Sequence, residues 1–450
     1  MDGNVGRADC GATRTMLMIP RKYVAGGRQP RRAAALTTGG LALALLALVA
    51  TACSGSGQGV QMAGNHGAAT AAGNQPKITI TPANGAASAD PAAGITVTAS
   101  AGKLTNVSVH TSGSAVTGTL SPDGKTWHSQ WALSVSESYT VRATAAQGGK
   151  PVTSTSAFRT LTPSQTFQTR IFEGYNQAYG VGMPVLLSFS QPISNKAAVE
   201  RSLQLTTSNP VVGAWYWDGN QTLAFRPRDY WPSGTTVSFT GHLDGVQGSP
   251  GVYGTHTLSQ TFTIGPSVVA VANTAAHRTQ IYYNGQLRYD WPISSGKPGD
   301  ETPNGSYLTI EKANPVEMKG PGYDISVPWS VRFTFSGDYY HDAFWSVGQQ
   351  GFENVSHGCV NLSPANAETY YNLAVPGDPI TVTGSPRAGT WDNGWTYWFL
   401  SWPDLLKGSA TGQAVQAGPN GSTFVDPATL PVSTATAPLQ TSPANNSGVG

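Results

Sequence analysis

Ser356-His357-Gly358-Cys359-Val360-Asn361 is the stretch around which the rest of the chain is organised. A histidine, His341, lies eighteen residues before that cysteine. A cysteine with a histidine nearby is the minimal constellation for thiolate nucleophilic catalysis. The thiolate is the nucleophile, so such a cysteine needs a positive or hydrogen-bonding neighbourhood that lowers its pKa. His341 can supply that and can also carry the proton. Gly358 lets the backbone pass close to a bound carbonyl, and adjacent amides there can cradle an oxyanion. The competing reading is that Cys359 is a small buried hydrophobe.

The other cysteines bear on that choice, because the chain has only 3. Arg21, Lys22, Arg28, Arg31 and Arg32 precede an apolar run from Leu41 to Val49, which ends in Ala50-Thr51-Ala52-Cys53-Ser54-Gly55. A basic lead, an apolar run and small residues at the cut make residues 1–52 a secretory signal. The run is too short to span a membrane. The junction resembles a bacterial lipobox, with Cys53 acylated as the mature N-terminus, although Ala50 stands where the pattern prefers Leu or Val. Arg31-Arg32 leaves twin-arginine export open as a second route, and Met16 or Met18 as a later start. The expected location is the outer face of the cell membrane, with the chain held there by lipid. Cys10 then leaves with the signal, Cys53 is lipidated, and Cys359 is alone in an oxidising compartment. An unpaired thiol there is a liability unless it works, which favours the catalytic reading.

At 450 residues the chain has room for about three domains. Charged residues make up 11 %, the net charge is +2, and no basic stripe follows the N-terminal segment, so nucleic acid is not an expected partner. Gly/Ala/Ser-rich residues 53–75 read as a flexible tether. Residues 76–161 carry short alternating β-prone runs, among them Ile78-Thr79-Ile80, Ile95 to Thr98, Val107-Ser108-Val109 and Tyr139 to Arg142, with a turn at Ser121-Pro122-Asp123-Gly124. That spacing suggests an immunoglobulin-like sandwich. Residues 162–265 repeat the style, with core strands at Val185 to Phe189 and Val237 to Thr240 and a short helix over Asn195 to Leu203. Trp215, Trp217, Tyr230 and Trp231 invite a sugar-binding reading, but core packing is the safer one. His110, His128, His242, His256 and His277 show no metal-ligand spacing, and neither metal nor cofactor is expected.

The third block, residues 266–384, opens with a strand from Val268 to Val271. Asn284-Gly285 between alternating runs signals a type I′ hairpin. Val331 to Phe335 reads as a strand running towards His341, which then falls just beyond its end. Pro364 to Leu373 reads as a helix with Ser363 as N-cap and proline at its first position. Trp391, Trp395, Trp398 and Trp402 follow at near-helical spacing, and residues 385–407 are expected to cover the side of the third block. From Gly408 to Gly450 the Ala/Thr/Ser/Pro/Gly-rich composition predicts a disordered tail.

His341 followed by Ser356-His357-Gly358-Cys359-Val360-Asn361 resembles the signature of the L,D-transpeptidases with a YkuD-type catalytic domain. Thr302-Pro303-Asn304-Gly305, Trp345-Ser346-Val347-Gly348 and Asn361-Leu362-Ser363-Pro364 reinforce the likeness, which is strongest from Val268 to Gly384. Lipobox, two immunoglobulin-like modules, catalytic domain and Trp-rich end are together similar to the mycobacterial-type cell-wall enzymes. The resemblance implies a β-sandwich catalytic domain acting on peptidoglycan stem peptides. In that family the cysteine attacks the carbonyl of the third stem residue and expels D-Ala. The side-chain amine of a diaminopimelate on a second stem then resolves the acyl-enzyme into a 3→3 cross-link. Carried over by position, Cys359 is the nucleophile and His341 the general acid/base. His357, Gly358 and the Cys359 amide belong to the loop that supports the oxyanion, with Ser356 in the same motif. Tyr323 stands above the acyl carbonyl, and Ser336, Gly337 and Asn361 contact substrate. Carbapenem-type β-lactams are the expected covalent inhibitors.

Asp342 departs from the family, where serine is common. The family uses the backbone carbonyl at this position to orient the imidazole. A carboxylate here is also expected to raise the His341 pKa and favour a thiolate–imidazolium pair. Two other functions fit the same residues: an L,D-carboxypeptidase with water as acceptor, and a wall-binding lipoprotein with a degenerate site. The intact Cys359, His341 and His357 argue against the last. The two sandwich modules read equally well as spacers that set the height of the site or as plain scaffold.

Overall fold

The computed structural model describes residues 75–433 apart from 321 and 322. The signal and tether expected over residues 1–75, Cys53 included, lie outside the described residues but for Gln75, as do residues 434–450. The protein is mainly β, built as successive two-sheet blocks. In the first block Ile78–Thr81, Thr96–Ala99, Thr126–Ser129 and Gly118–Leu120 form one sheet in that spatial order, and Lys103–His110, Ser138–Gln147 and Lys150–Arg159 form the other. The strand Ser138–Gln147 shows why they pack: Tyr139, Val141, Ala143 and Ala145 turn inward at every second position. They meet Ile95, Val97, Leu104 and Phe158 in one core.

The second block has a sheet of Ala178–Tyr179, Thr257–Ile264, Thr236–His242 and Leu203–Thr207 facing one built on Val211–Asp218, Thr222–Pro227 and Val185–Phe189. Trp215, Trp217 and Trp231 are core residues of this block. The indole of Trp217 donates to Glu200 at 2.8 Å and that of Trp231 to the Met183 carbonyl at 2.6 Å, so these rings are not a sugar platform. The helix expected over Asn195 to Leu203 is shorter, Lys196–Arg201, because Leu203 already pairs in a strand.

The disordered tail expected from Gly408 is corrected over its described part. Ala414–Gly418 pairs antiparallel with Val211–Asp218, and Gly421–Val425 folds back on it, extending the second block's sheet. Small residues suit the role: Ala414, Val415 and Ala417 are buried, and what orders them is an otherwise open strand edge, a tertiary cue that composition does not carry. The buried Glu200 carboxylate ties the segment down, accepting from Trp217 Nε1, Ser409 Oγ, Ala410 N and both the amide and hydroxyl of Thr411.

The Trp-rich segment is also placed differently. It forms a 3₁₀ turn, Tyr397–Phe399, and a short helix, Trp402–Lys407. Trp395, Tyr397 and Trp398 pack into the second block's core rather than flanking the third block alone. The Arg226 guanidinium lies over Trp398 at 4.4 Å, and the Trp398 indole donates to the Gly182 carbonyl at 2.7 Å. Phe399 turns to the third block, against Tyr307, and Asn393 bonds Ser336 there.

In the third block Gln286–Pro292, Arg278–Tyr283, Val268–Asn273, Pro379–Thr383 and Gly305–Leu308 form one sheet. Glu311–Ala313, Ser330–Arg332, Tyr339–Asp342 and Val360–Leu362 form a second, and the helix Pro364–Leu373 packs Ala367 and Tyr370 into the same core. Asn284 and Gly285 sit at φ 49° and 79°, as a type I′ turn requires. Ser363 is the helix N-cap, though its hydroxyl makes no capping bond. The strand expected to run through Phe335 stops at Arg332, since Thr334 to Gly337 turns back. A new strand then carries His341 inside it rather than past an end.

Glu200→Gln would turn an amide NH₂ towards at least one N–H group that cannot accept it, Trp217 and Ala410 on one side or the Thr411 amide on the other. We expect a stability loss of about 2–3 kcal/mol in urea unfolding, with faster amide exchange confined first to the 414–425 hairpin.

Candidate active site

Two short strands make the site. Tyr339–Asp342 and Val360–Leu362 run parallel, with Tyr340 opposite Val360, His341 opposite Asn361 and Asp342 opposite Leu362. Tyr340, Val360 and Leu362 fill the core, so the period of two sends His341 and Asn361 to the other face. Cys359 is the residue immediately before its strand. Asn361 donates to Ser346 Oγ at 2.9 Å, and Trp345, next to Ser346, stacks on the His341 ring with centroids 6.0 Å apart.

His341 Nδ1 meets the Asp342 carbonyl at 2.7 Å. A carbonyl only accepts, so Nδ1 carries the proton and Nε2 keeps its lone pair. Burial drives the imidazole down to about 4, the carbonyl contact opposing only part of that. The expectation that the Asp342 carboxylate raises His341 is therefore corrected. The Asp342 carboxyl is itself pushed up by burial, and its Oδ1 is buried without a hydrogen-bond partner. The backbone of Asp342 acts on the imidazole; its side chain does not.

The motif loop is tied at both ends. Ser356 Oγ donates to the Cys359 carbonyl at 2.7 Å and accepts from the Gly358 amide at 3.1 Å. Thr302 Oγ1 donates to the Gly358 carbonyl at 2.6 Å. Gly358 sits at φ 125°, a conformation that favours glycine. Its amide is turned into the loop, so an oxyanion in this geometry would look to other donors. The Cys359 side chain is half-buried, and its thiol donates to the Gly337 carbonyl at 3.8 Å. Burial pushes the thiol up to about 12, the Asp338 carboxylate adds to that, and the Tyr339 amide opposes it.

The remaining residues named from sequence are spread around this centre. His357 is exposed, and its Nε2 lies 2.8 Å from the Lys297 ammonium, which also pairs with Asp300 at 3.4 Å. Ser336 lies on the turn beside the thiol, its amide donating to Asn393 Oδ1 at 2.7 Å. Tyr323 opens the strand Tyr323–Val327 of a two-stranded ribbon, and its side chain lies outside the described residues. Reasoning from sequence passed over Asp338 and Lys297. Trp345 and Thr302 were noticed as family phrases, without the contacts that give them work.

One bacterial Ig domain model matches residues 86–247, across both leading blocks, and the L,D-transpeptidase catalytic domain model matches residues 267–382. L,D-transpeptidase 2 of Mycobacterium tuberculosis is 33 % identical over 394 residues, which cover 83 % of this chain and 96 % of that protein. The chain belongs to the L,D-transpeptidase family. It is an acyltransferase with a peptidoglycan cross-linking function. L,D-transpeptidase 5 of the same organism is 35 % identical, over 74 % of this chain and 77 % of its own length. A solved L,D-transpeptidase from Mycobacterium smegmatis is 32 % identical over 48 % of this chain and 99 % of its own, with a TM-score of 0.40.

The buried imidazole links pH to the stability of this transpeptidase. His341 titrates near 6.5 when unfolded and about 4 when folded, so the unfolded chain binds the extra proton between those values. Its contribution is complete above pH 6.5 and is lost as pH falls to 4, roughly 3 kcal/mol in all. The stability difference between wild type and His341→Gln should shrink by that amount over this window in urea unfolding.

Proposed function

We propose that Cys359 and His341 carry the acyl transfer. The observation that carries this reading is the 2.7 Å contact between His341 Nδ1 and the Asp342 carbonyl, which leaves Nε2 as the base on the strand paired with that of the cysteine. With the thiol near 12 and the imidazole near 4, the resting pair is neutral. The proton therefore leaves sulfur in step with attack on the carbonyl of the third stem residue, rather than beforehand. The C–S bond forms, the amide C–N bond breaks, and the imidazolium returns its proton to the departing D-Ala amine. The diaminopimelate amine of a second stem then attacks the thioester, His341 takes its proton, and the thiol is regenerated with a 3→3 link. Ser336, Gly337, Tyr323 and Asn361 would line the donor, and a carbapenem, whose strained amide meets the same nucleophile, would acylate Cys359.

The same reading puts the enzyme outside the cytoplasmic membrane, anchored through lipid on Cys53. The basic lead, the apolar run and the small residues before Cys53 support it. Cys53→Ala should move the protein from the membrane to the soluble fraction on cell fractionation. Persistence of the variant in the membrane would sink the anchor.

The decisive assay incubates the full chain with disaccharide-tetrapeptide and reads products by mass spectrometry. A dimer lighter by one D-Ala, absent with Cys359→Ala, is the expected result. Tripeptide alone would make water the acceptor, and no product from either protein would leave a wall-binding role.

A further inference from the structure

Asp338 is a buried carboxylate that the acyl-transfer scheme does not use. It is 7 % exposed. Its Oδ2 accepts from Thr334 Oγ1 at 2.7 Å and Ser336 Oγ at 3.2 Å, and its amide donates to Thr334 Oγ1 at 2.7 Å. Among the described residues Oδ1 receives no hydrogen bond. It lies instead against the motif loop: a Cβ on Gly358 would sit 2.3 Å from it. Gly358 is bonded to Cys359, and the carbonyl of Gly337, bonded to Asp338, is the acceptor of the thiol at 3.8 Å. The carboxylate is thus held between the two backbone segments that contact the sulfur.

A neutral side chain could satisfy Thr334 and Ser336 equally well, so those bonds do not explain why a charge stands here. What a carboxylate does at this place is oppose a second negative charge on the neighbouring sulfur. We propose that Asp338 is a positioning residue that acts as an electrostatic brake, holding Cys359 as the thiol in the empty enzyme and slowing its reaction with electrophiles other than substrate. Burial pushes the Asp338 carboxyl above its ordinary value, and the hydrogen bonds from Thr334 and Ser336 and the charges of Arg387 and Arg332 oppose only part of that. Tyr307 and Tyr339 face it as neutral phenols, both held in that form mainly by burial. The neighbouring His341 is neutral above about pH 4 and offers no counter-charge. Such restraint suits an unpaired thiol working in an oxidising compartment.

The inference rests on Cys359 as the nucleophile but not on the transpeptidation reaction, so its test needs no stem peptide. The full chain is alkylated with iodoacetamide, a neutral electrophile, from about pH 4, near the ordinary carboxylate value, to about pH 9, and modification at Cys359 is read by peptide mass spectrometry. Asp338→Asn is expected to react roughly tenfold faster at neutral and alkaline pH, equivalent to a thiol titration lower by about one unit. The ratio of variant to wild-type rates should collapse towards one as pH falls through the Asp338 titration, because the wild-type carboxyl then loses its charge. A merely structural lesion would give a ratio independent of pH. Asp338→Ser, which keeps a hydroxyl for Thr334 and removes the charge, should behave as the Asn variant does. Equal rates for wild type and either folded variant across the range, or a pH-independent ratio, would overturn the proposal.

Discussion

The parallel pairing of Tyr339–Asp342 with Val360–Leu362 is the constraint on which the site depends. Parallel neighbours cannot be joined by a tight turn, so the chain must leave the first strand and return before entering the second. The connection is spent on Phe344–Ser346 and the loop after it, and it stacks Trp345 on the imidazole. A one-residue slip in this register would exchange Tyr340 for His341 in the core. The inward faces of Tyr340, Val360 and Leu362 forbid that slip, so core packing on one face of these strands fixes which ring is turned to the other.

The same packing makes the site electrostatically expensive. An imidazole driven to about 4 and a thiol driven to about 12 are both held away from their charged forms. Asp338 and the orphaned Asp342 Oδ1 add further polar groups under poor solvation. On the proposed mechanism, proton loss and bond formation at a bound carbonyl occur together, so that neither charge has to stand alone in this setting.

Much of this was legible in the residues themselves. The period-two runs announced the sandwiches, Asn284-Gly285 the hairpin, and Ser363-Pro364 the helix start. The motif marked Cys359 and His341 together. What escaped notice depended on partners distant in sequence. Ala414–Gly418 carries no strand signature and becomes one because Val211–Asp218 offers an edge. Trp395 and Trp398 looked like a cover for the nearest block, yet Phe172 and Arg226 of the second block take them. Asp342 looked like a charge beside the histidine, whereas its carbonyl makes the contact. Asp338 stands three residues before His341, and only its approach to Gly358 gives it meaning.

These tertiary ties join the second block to the chemistry. Trp398 is pinned beneath Arg226, and Trp395 packs edge-on against Phe172 at 4.8 Å. Two residues before Trp395 stands Asn393, whose side chain accepts from the Ser336 amide and donates to its hydroxyl. Ser336 in turn donates to Asp338, which rests on Gly358. The turn beside the thiol is therefore held by a segment whose own anchors lie in the preceding sandwich. On this geometry that sandwich braces the site: a catalytic block cut at residue 384 would keep the cysteine and histidine but lose the support of the turn whose Gly337 carbonyl accepts the thiol's hydrogen bond.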